Sequence, residues 1–347
     1  MIISRTPYRI SFFGGGTDYP AWFRQHGGAV LATSIDKYCY LNCRWLPPFF
    51  QHRTRVVYSR IESCRDNRQI QHPAVREVVR YLGIEQGLEI HCSGDLPARS
   101  GIGSSSTFTV GLLHALHALL GRKVDKHRLA QEAIYVEQEL LRETVGCQDQ
   151  VMAAYGGLRH VVFSPQGEIA ARAVPLPPER LQALNDHLLL FFTGINRTAS
   201  QVAQSYVCRM EDKHRQLQVL GEMVQQALEI LQGDGDLDPF GHLLHRAWLL
   251  KRSLSAQVSN PQIDRLYQQA REAGAFGGKI TGAGGGGVLL LFAPPERHER
   301  IRQQLADRVH VPFRFENQGS HILLAQSDQH PEQWTPAAEA ATARAAA

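Results

Sequence analysis

A run of small residues directly before a predicted helix is the first feature of this sequence that could bind a ligand or take part in chemistry. In the stretch SGDLPARSGIGSSSTFTVGLLHALHALLG, residues 93–121, the segment GIGSSS (101–106) places two glycines and three serines before apolar residues with helical spacing. Glycine lets the backbone approach a ligand closely, and the first amides of a helix have no intrahelical partner. Such a junction binds anions, although a plain serine N-cap uses the same residue types. The pattern therefore predicts a phosphate-binding loop or a capped helix.

A second glycine-rich stretch, GAFGGKITGAGGGG (274–287), has two interpretations as a nucleotide motif, and both fail. A Walker A loop would need Ser or Thr after its lysine to bind Mg²⁺, and Ile280 stands there. A dinucleotide-binding G-x-G-x-x-G must join a strand to a helix, whereas this one precedes the strand-like VLLLF. The glycines therefore predict either a tight hairpin or a backbone pressed against a ligand.

A third stretch, PYRISFFGGGTDYP (7–20), places Asp18 after three glycines. An aspartate after a glycine turn is commonly a turn former, so this stretch predicts little by itself.

The composition is that of an ordinary globular protein. The chain has 347 residues, 43% of them hydrophobic, and its net charge of +4 is too small to indicate nucleic-acid binding. The first 30 residues lack a signal-peptide pattern, and no apolar run is long enough to span a membrane. Six cysteines lack metal or redox spacing, which predicts free thiols in a reducing compartment. We therefore expect a cytoplasmic protein.

Strand-like and helical patterns alternate along both halves of the chain, which predicts a mixed α and β protein with two lobes. The proline-rich PLPPERL (175–181) favours a boundary, so we expect lobes at 1–178 and 179–328 and a low-complexity tail at 329–347. The pattern predicts helices at about 72–84, 107–120, 129–141, 200–232, 237–258, 261–273 and 296–308. The stretch around Pro165–Gly167 predicts the turn of a hairpin.

Taken together and in this order, the three glycine-rich stretches resemble the motifs of the GHMP kinase superfamily. TPYRISFFGGGTDYP is similar to the first motif, PARSGIGSSS to the second and KITGAGGGG to the third. Within the superfamily, RISFFGGGTDYP, SIDKY, VGCQDQ and TGINRTAS resemble the D-glycero-D-manno-heptose 7-phosphate kinases. One departure is Arg99, which stands where most members have glycine.

The resemblance implies an α+β fold with two lobes, an N-terminal lobe like ribosomal protein S5 and a ferredoxin-like C-terminal lobe with added helices. It also implies a kinase that uses ATP and Mg²⁺ to phosphorylate C1 of heptose 7-phosphate, for nucleotide-activated heptose synthesis. The transition state of such a transfer is loose, so catalysis rests on positioning and charge neutralisation.

The resemblance also assigns roles to residues that match the family motifs. Asp149 would accept the proton of the sugar hydroxyl, and Arg9 would keep Asp149 ionised and offset developing charge. Ser105 and Glu137 would supply oxygen ligands to Mg²⁺. The residues that would cradle the triphosphate are Pro97, Arg99, Ser100, Gly101, Ile102, Gly103, Ser104, Ser105 and Ser106. Those that would contact the sugar are Gly15, Gly16, Thr17, Asp18, Gly282, Gly284 and Gly285.

Several alternatives stay open at this point. A sugar phosphate needs a second anion site, and the candidates are Lys37, Arg142, Arg159 and Arg197. The region 44–70 is a candidate for binding the adenine base of ATP. The histidine pairs His114/His117 and His242/His245 have no third ligand and are better explained as partly exposed side chains than as zinc ligands.

Two other functions compete with a heptose phosphate kinase. One is a kinase for an unphosphorylated sugar such as L-fucose, and the other is a sugar sensor without catalysis. We expect only small-molecule partners, with no nucleic acid and no membrane, and the resemblance allows a homodimer.

Overall fold

The computed structural model describes residues 1–195, 199–207 and 210–326, and the predicted tail at 329–347 lies outside them. The strands are β1 (Ile2–Phe13), β2 (Gly28–Trp45), β3 (Thr54–Val57), β4 (Ile61–Cys64), β5 (Leu88–Gly94), β6 (Leu158–Phe163), β7 (Ile169–Ala173), β8 (Leu188–Phe192), β9 (Gly277–Ile280), β10 (Val288–Phe292), β11 (Val309–His310), β12 (Phe315–Glu316) and β13 (His321–Ala325). The helices are α1 (Pro20–His26), α2 (Pro73–Tyr81), α3 (Ser104–Leu119), α4 (Lys126–Tyr135), α5 (Gln148–Tyr155), α6 (Pro178–Asp186), α7 (Ala199–Val207), α8 (His214–Gln232), α9 (Asp238–Arg252), α10 (Pro261–Glu272) and α11 (His298–Gln304).

Two sheets organise the described part of the chain. The larger has nine strands built around β2, whose first half pairs with β6 and whose second half pairs with β5. The smaller has four strands in the order β11-β8-β10-β9. Apart from the parallel pair β3 and β5, the neighbouring strands in both sheets run antiparallel. The predicted α+β, two-lobed architecture is confirmed.

The end of the chain returns to the first sheet. Strand β12 pairs with β2 and β13 pairs with β1, so residues 315–325 complete the nine-stranded sheet. These residues follow position 179 in the chain, yet they belong to the sheet of the first lobe. The predicted lobe boundary between residues 178 and 179 therefore stays a prediction.

Local sequence explains several features of the helices and strands. The Asp125 carboxylate accepts from the Arg128 amide at 2.8 Å and caps α4. Helix α3 is apolar on most of its circumference because it packs between β1, β2 and α5. The hairpin of β6 and β7 turns at the predicted position, with Gly167 at φ 91°.

Several helix predictions are wrong in detail. The helix expected at 129–141 ends as an α-helix at Tyr135, and Val136–Leu140 form a π-helical turn instead. The sequence does not predict helix α5. This helix is short and its first turn is polar, so it lacks the repeat of apolar residues by which a helix is predicted. The π-turn and α5 both fall on segments that carry predicted site residues, and π-turns concentrate at functional sites.

Two longer helix predictions also need correction. The helix expected at about 200–232 forms two α-helices within the described residues, α7 and α8, with a 3₁₀ turn at Glu211–Lys213 directly before α8. The helix expected at 237–258 is α9, which ends at Arg252.

The described residues also test two predictions about the whole protein. None of their helices is long and apolar enough to cross a bilayer. The five described cysteines are free thiols, as predicted, and Cys208 lies outside the described residues.

Candidate active site

The loop between β5 and α3 turns its carbonyl groups toward the protein. The Ser100 carbonyl accepts from the Val288 amide at 3.0 Å. Arg9 binds the next two carbonyls, with Nη1 donating to Gly101 O at 2.7 Å and its amide donating to Ile102 O at 3.1 Å. Backbone amides and the Arg9 guanidinium therefore hold the loop through its carbonyl groups.

The amides of the same loop are left without protein partners. Within the described part of the chain, none of the backbone N–H groups of residues 100–106 donates to a protein acceptor. Gly101 and Gly103 make this turn at φ 80° and 77°, and Gly103 occupies the N-cap of α3. A row of free amides at the positive end of a 16-residue helix is suited to bind an anion. Triphosphate binding stays a prediction, and residues 100–106 are called the phosphate-binding loop on the basis of that prediction.

Arg99 adopts a backbone conformation that favours glycine. Its φ is 64°, in the left-handed region that glycine adopts without strain. Its amide donates to Ser104 Oγ at 3.1 Å, which holds the strained turn against α3.

We expect Arg99→Gly to leave stability unchanged or to raise it by up to about 1 kcal/mol, because removing Cβ relieves left-handed strain. Thermal unfolding measures this change. Arg99→Ala is the matched control, since it removes the guanidinium and keeps Cβ. Equal stabilisation by both variants would show that the guanidinium, and not the backbone, is responsible.

The glycine-rich loop between β9 and β10 is a hairpin that packs against the phosphate-binding loop. A Cβ on Gly287 would lie 2.2 Å from Ser100 O, and one on Gly282 would lie 2.7 Å from Gly101 O. On the other side, Gly284 and Gly285 lie against Val258, whose carbonyl accepts from the Gly285 amide. These glycines permit a close backbone-to-backbone contact, and their contact with a sugar stays a prediction.

Arg9 and Asp149 form a bidentate ion pair beside the free amides. Arg9 Nε donates to Asp149 Oδ1 at 2.8 Å, and Nη2 donates to Oδ2 at 2.7 Å. A Cβ on Gly103 would lie 3.3 Å from Asp149 Oδ2, so the carboxylate lies next to the helix start. The structure thus brings both predicted catalytic residues to the phosphate-binding loop.

Asp18 is buried at the edge of the same site. Its Oδ1 accepts from the Gly16 amide at 2.9 Å, and its Oδ2 accepts from Gln148 Nε2 at 3.0 Å. Burial raises the pKa of this carboxyl, and the charge of Asp149 raises it further. Gly146 leaves the space that the carboxylate fills, since a Cβ there would lie 1.9 Å from Oδ2.

Glu137 is fully buried in the π-helical turn. Its Oε2 accepts from Ser106 Oγ at 2.7 Å and from Gln150 Nε2 at 2.5 Å. Burial is the main cause that raises the pKa of Glu137 to about 7. Ser105, the predicted partner of Glu137 at the metal, is exposed, and the hydroxyl in contact with the carboxylate belongs to Ser106.

Three consecutive residues at the start of α5 organise the three acidic groups. Gln148 binds Asp18, Asp149 binds Arg9 and Gln150 binds Glu137. The two glutamines are not predicted from the sequence, although they flank the predicted base in the motif VGCQDQ. Their side-chain amides could have indicated this role, because a buried carboxylate needs hydrogen-bond donors and a glutamine NH₂ group can provide them.

Two tyrosines near the acidic groups are also missing from the sequence prediction. The ring centroids of Tyr19 and Tyr206 lie 6.2 Å apart in an edge-on arrangement. Burial raises the pKa of Tyr19, and Tyr206, Asp18 and Asp149 add to the shift through their charges. Helix α7, which follows strand β8 in the chain, therefore places an aromatic side chain against Tyr19, which lies near Asp18 and Asp149.

The remaining residues of the first motif shape the turn that carries Asp18. The Thr17 hydroxyl donates toward Gly14 O and Ala29 O and accepts from the Ala29 amide, which fixes the turn to β2. Gly16 has φ 109°. Gly15 has open space on its Cβ side, with its nearest neighbours at 3.8 Å. Sugar contacts by Gly15, Gly16 and Thr17 stay predictions.

The structure separates the basic candidates for a second anion site. Lys37 pairs with Asp36 at 3.1 Å, and Arg159 donates to Gly156 O at 2.7 Å. Arg142 has φ 55° and makes no hydrogen bond or ion pair with any residue that the structure describes. Arg197 lies outside the described residues.

The other open candidates have structural partners. His114 contacts Ser320 Oγ at 3.0 Å, and His117 contacts Glu132 Oε2 at 2.6 Å. His117 is buried, so the expectation of partial exposure is wrong for it. His245 contacts the Tyr267 hydroxyl at 2.7 Å. No cluster of three or more His, Cys, Asp or Glu that could hold a metal occurs in residues 1–195, 199–207 and 210–326.

The region 44–70 forms β3, β4 and a short 3₁₀ turn, and part of it approaches the start of α3. Tyr58 packs edge-on against His72, and His72 stacks on Phe108 with ring centroids 4.8 Å apart. Phe108 lies in the second turn of α3, so this aromatic stack lies beside the phosphate-binding loop. Adenine binding there stays a prediction.

The residues around Glu137 fit a magnesium ion. Glu137 Oε1 and Gln150 Oε1 are buried and have no hydrogen-bond partner within the described residues. Mg²⁺ prefers oxygen ligands, keeps several waters and commonly uses only one or two carboxylates together with substrate phosphates. An unpaired carboxylate oxygen near free amides meets that requirement.

Comparison with protein families identifies the chain. The family description "GHMP kinases N terminal domain" matches residues 69–157, and "GHMP kinases C terminal" matches residues 223–311. The chain belongs to the GHMP kinase family, and it is an ATP-dependent phosphotransferase with an alcohol group as acceptor.

Within this family the chain is a sugar kinase, and individual relatives show the range of its similarity. It is 26% identical over 317 residues to D-glycero-alpha-D-manno-heptose 7-phosphate kinase of Campylobacter jejuni, covering 88% of this chain and 93% of that one. It is 27% identical to the L-fucokinase/L-fucose-1-P guanylyltransferase of Bacteroides fragilis, over 90% of this chain and 37% of that one. A D-glycero-D-manno-heptose 1-phosphate kinase structure from Bacteroides thetaiotaomicron shares the fold, with TM-score 0.77, 22% identity and coverage of 94% and 100%.

Proposed function

We propose that this sugar kinase transfers the γ-phosphoryl group of ATP to the C1 hydroxyl of D-glycero-D-manno-heptose 7-phosphate and forms the 1,7-bisphosphate. The observation that carries the proposal is the ion pair of Asp149 with Arg9 beside the free amides of residues 100–106. A base and an anion cradle in contact are what transfer from a polyphosphate to a hydroxyl requires. The similarity to the Campylobacter jejuni heptose 7-phosphate kinase supports the choice of sugar.

In this mechanism the chain acts mainly by positioning. The amides of residues 100–106 bind the phosphate oxygens, and Asp18 accepts hydrogen bonds from ring hydroxyls of the sugar. Asp149 then orients the C1 hydroxyl and takes its proton as the oxygen bonds to phosphorus. Arg9 stays bound to both Asp149 oxygens and offsets the negative charge that develops nearby.

Magnesium would be held by Glu137, with a serine hydroxyl from the start of α3. When bound, it neutralises charge on the phosphates of ATP. Gln150 keeps Glu137 in place through its bond to Oε2, and Oε1, which has no partner among the described residues, would be available to the ion or its water.

The test of the proposal is a substrate panel with ATP and Mg²⁺. The acceptors are D-glycero-D-manno-heptose 7-phosphate, L-fucose, galactose and mannose, and the readout is kcat/KM. We expect the heptose phosphate to give the highest value. A preference for a neutral sugar would reject this assignment and favour the fucose alternative, for which the Bacteroides fragilis relative provides the similarity.

Arg142 is the residue that we propose for the 7-phosphate. It lies in the loop between the π-turn with Glu137 and helix α5 with Asp149, and its left-handed backbone is a strain of the kind that concentrates at functional sites. Arg142→Gln should raise KM for the heptose phosphate about tenfold or more and leave KM for ATP near its original value. Arg159→Gln is the matched control, since that guanidinium already binds Gly156. Equal effects of both variants would contradict the role of Arg142.

A further inference from the structure

Lys279 connects the two sheets beneath the candidate active site. It lies on β9 with 4% of its surface exposed, and its Nζ donates to Phe12 O on β1 at 3.0 Å. Phe12 stands two residues before Gly14, where the turn that carries Asp18 begins. A side chain of the smaller sheet thereby holds the end of the strand that leads to the sugar-binding carboxylate.

The ammonium group is in an unusual electrostatic position. Lys279 forms no ion pair within the described residues, and a buried cation without a carboxylate partner is costly. Burial lowers its pKa well below the usual range, and the nearby charges of Lys251 on α9 and Arg9 on β1 lower it further. The charge of Asp18 acts in the opposite direction and raises the pKa of Lys279.

An apolar side chain would fill this place at less cost if packing were the only requirement. The lysine provides two things that an apolar residue cannot, a donor to the Phe12 carbonyl and a positive charge in the neighbourhood of Asp18. Both act on the turn formed by residues 14–18.

We propose that Lys279 is a positioning residue for the acceptor: it fixes the turn of residues 14–18 so that Asp18 and Asp149 can contact the same sugar molecule. The inference rests on the proposed role of Asp18 in binding the sugar. It predicts an effect on the acceptor side of the reaction and little effect on ATP, because the loop of residues 100–106 is held through its carbonyl groups by donors from Arg9 and Val288.

The experiment measures KM for both substrates, kcat and thermal unfolding, with the acceptor of highest turnover in the panel. The variants are Lys279→Met, Lys279→Arg, Asp18→Asn and Lys123→Met. We expect Lys279→Met to lower kcat/KM for the acceptor about tenfold or more and to change KM for ATP by less than about twofold. Lys123→Met is the matched control, since Lys123 is exposed beyond the far end of α3, and it should be unchanged.

The pH profile tests the charge itself. Wild-type activity should fall on the alkaline side below the usual lysine value of about 10.4, because the buried ammonium loses its proton early. Lys279→Arg keeps the cation and the donor, so its alkaline limb should move to higher pH.

The outcomes separate this inference from the proposed function. If Lys279→Met raises both KM values equally, or changes neither, the positioning role is overturned. If Lys279→Met does not fold, the pH profiles decide the question. The positioning role is then overturned if the activities of the wild type and of Lys279→Arg fall at the same alkaline pH. If Asp18→Asn leaves KM for the acceptor unchanged, the sugar-binding role of Asp18 fails first, and the inference fails with it.

Discussion

Asp149→Asn is expected to lower kcat by about 10²–10⁴-fold while KM for ATP stays within a few-fold of the wild type. The amide cannot take a proton from the acceptor hydroxyl, and its NH₂ group would face an Arg9 donor that now binds a carboxylate oxygen. The free amides of residues 100–106 are unchanged by the substitution, so nucleotide binding should persist. Steady-state kinetics with a separate measurement of ATP binding by calorimetry check this result.

The matched control is Glu89→Gln. Glu89 is also a carboxylate bound to an arginine, with Arg44 Nε at 2.6 Å, but it lies near the start of β5, away from the phosphate-binding loop. Its loss should leave kcat near the wild-type value. An Asp149→Asn enzyme that keeps full turnover would exclude Asp149 as the base, and one that loses ATP binding would show that the ion pair with Arg9 shapes the loop.

Glu137→Gln is expected to raise the Mg²⁺ concentration for half-maximal activity about tenfold or more. The substitution keeps the size of the side chain and its bonds to the core, and removes the charge from an oxygen that has no protein partner among the described residues. Replacement of a residue that only orients a metal ligand already costs about 10–100-fold in metal affinity, so loss of a direct ligand should cost at least as much. A titration of activity with Mg²⁺ at saturating ATP measures the shift.

Glu132→Gln provides the control for damage to the fold. Glu132 is a buried glutamate one turn earlier in the same segment, bound to His117 and Arg128. Its substitution should lower stability and leave the Mg²⁺ requirement unchanged. An unchanged requirement in Glu137→Gln would refute its role as a ligand.

The serine partner of the metal can be determined in the same titration. The motif assigns Ser105, whereas the structure places the Ser106 hydroxyl against Glu137. Comparison of Ser105→Ala with Ser106→Ala separates the two, because only the variant that removes a ligand should raise the Mg²⁺ requirement.

The sequence by itself determined the family, the α+β fold class and the importance of three glycine-rich stretches. These features are local, since a glycine turn, a cap or a helix-forming pattern acts over a few neighbouring residues. It also led to Arg9 and Asp149, which the structure brings together across 140 positions. That pairing came from the resemblance to known motifs, because spacing along the chain says nothing about two residues so far apart.

Only the tertiary structure decided which donors hold which carboxylates. Gln148 and Gln150 stand two positions apart, yet they bind Asp18 and Glu137 from different parts of the chain. The contact of Gly287 with Ser100 likewise depends on two loops that meet only when the two sheets pack. The physical reason is that a buried polar group must find its partner in the folded molecule, and that partner is chosen by packing between distant segments.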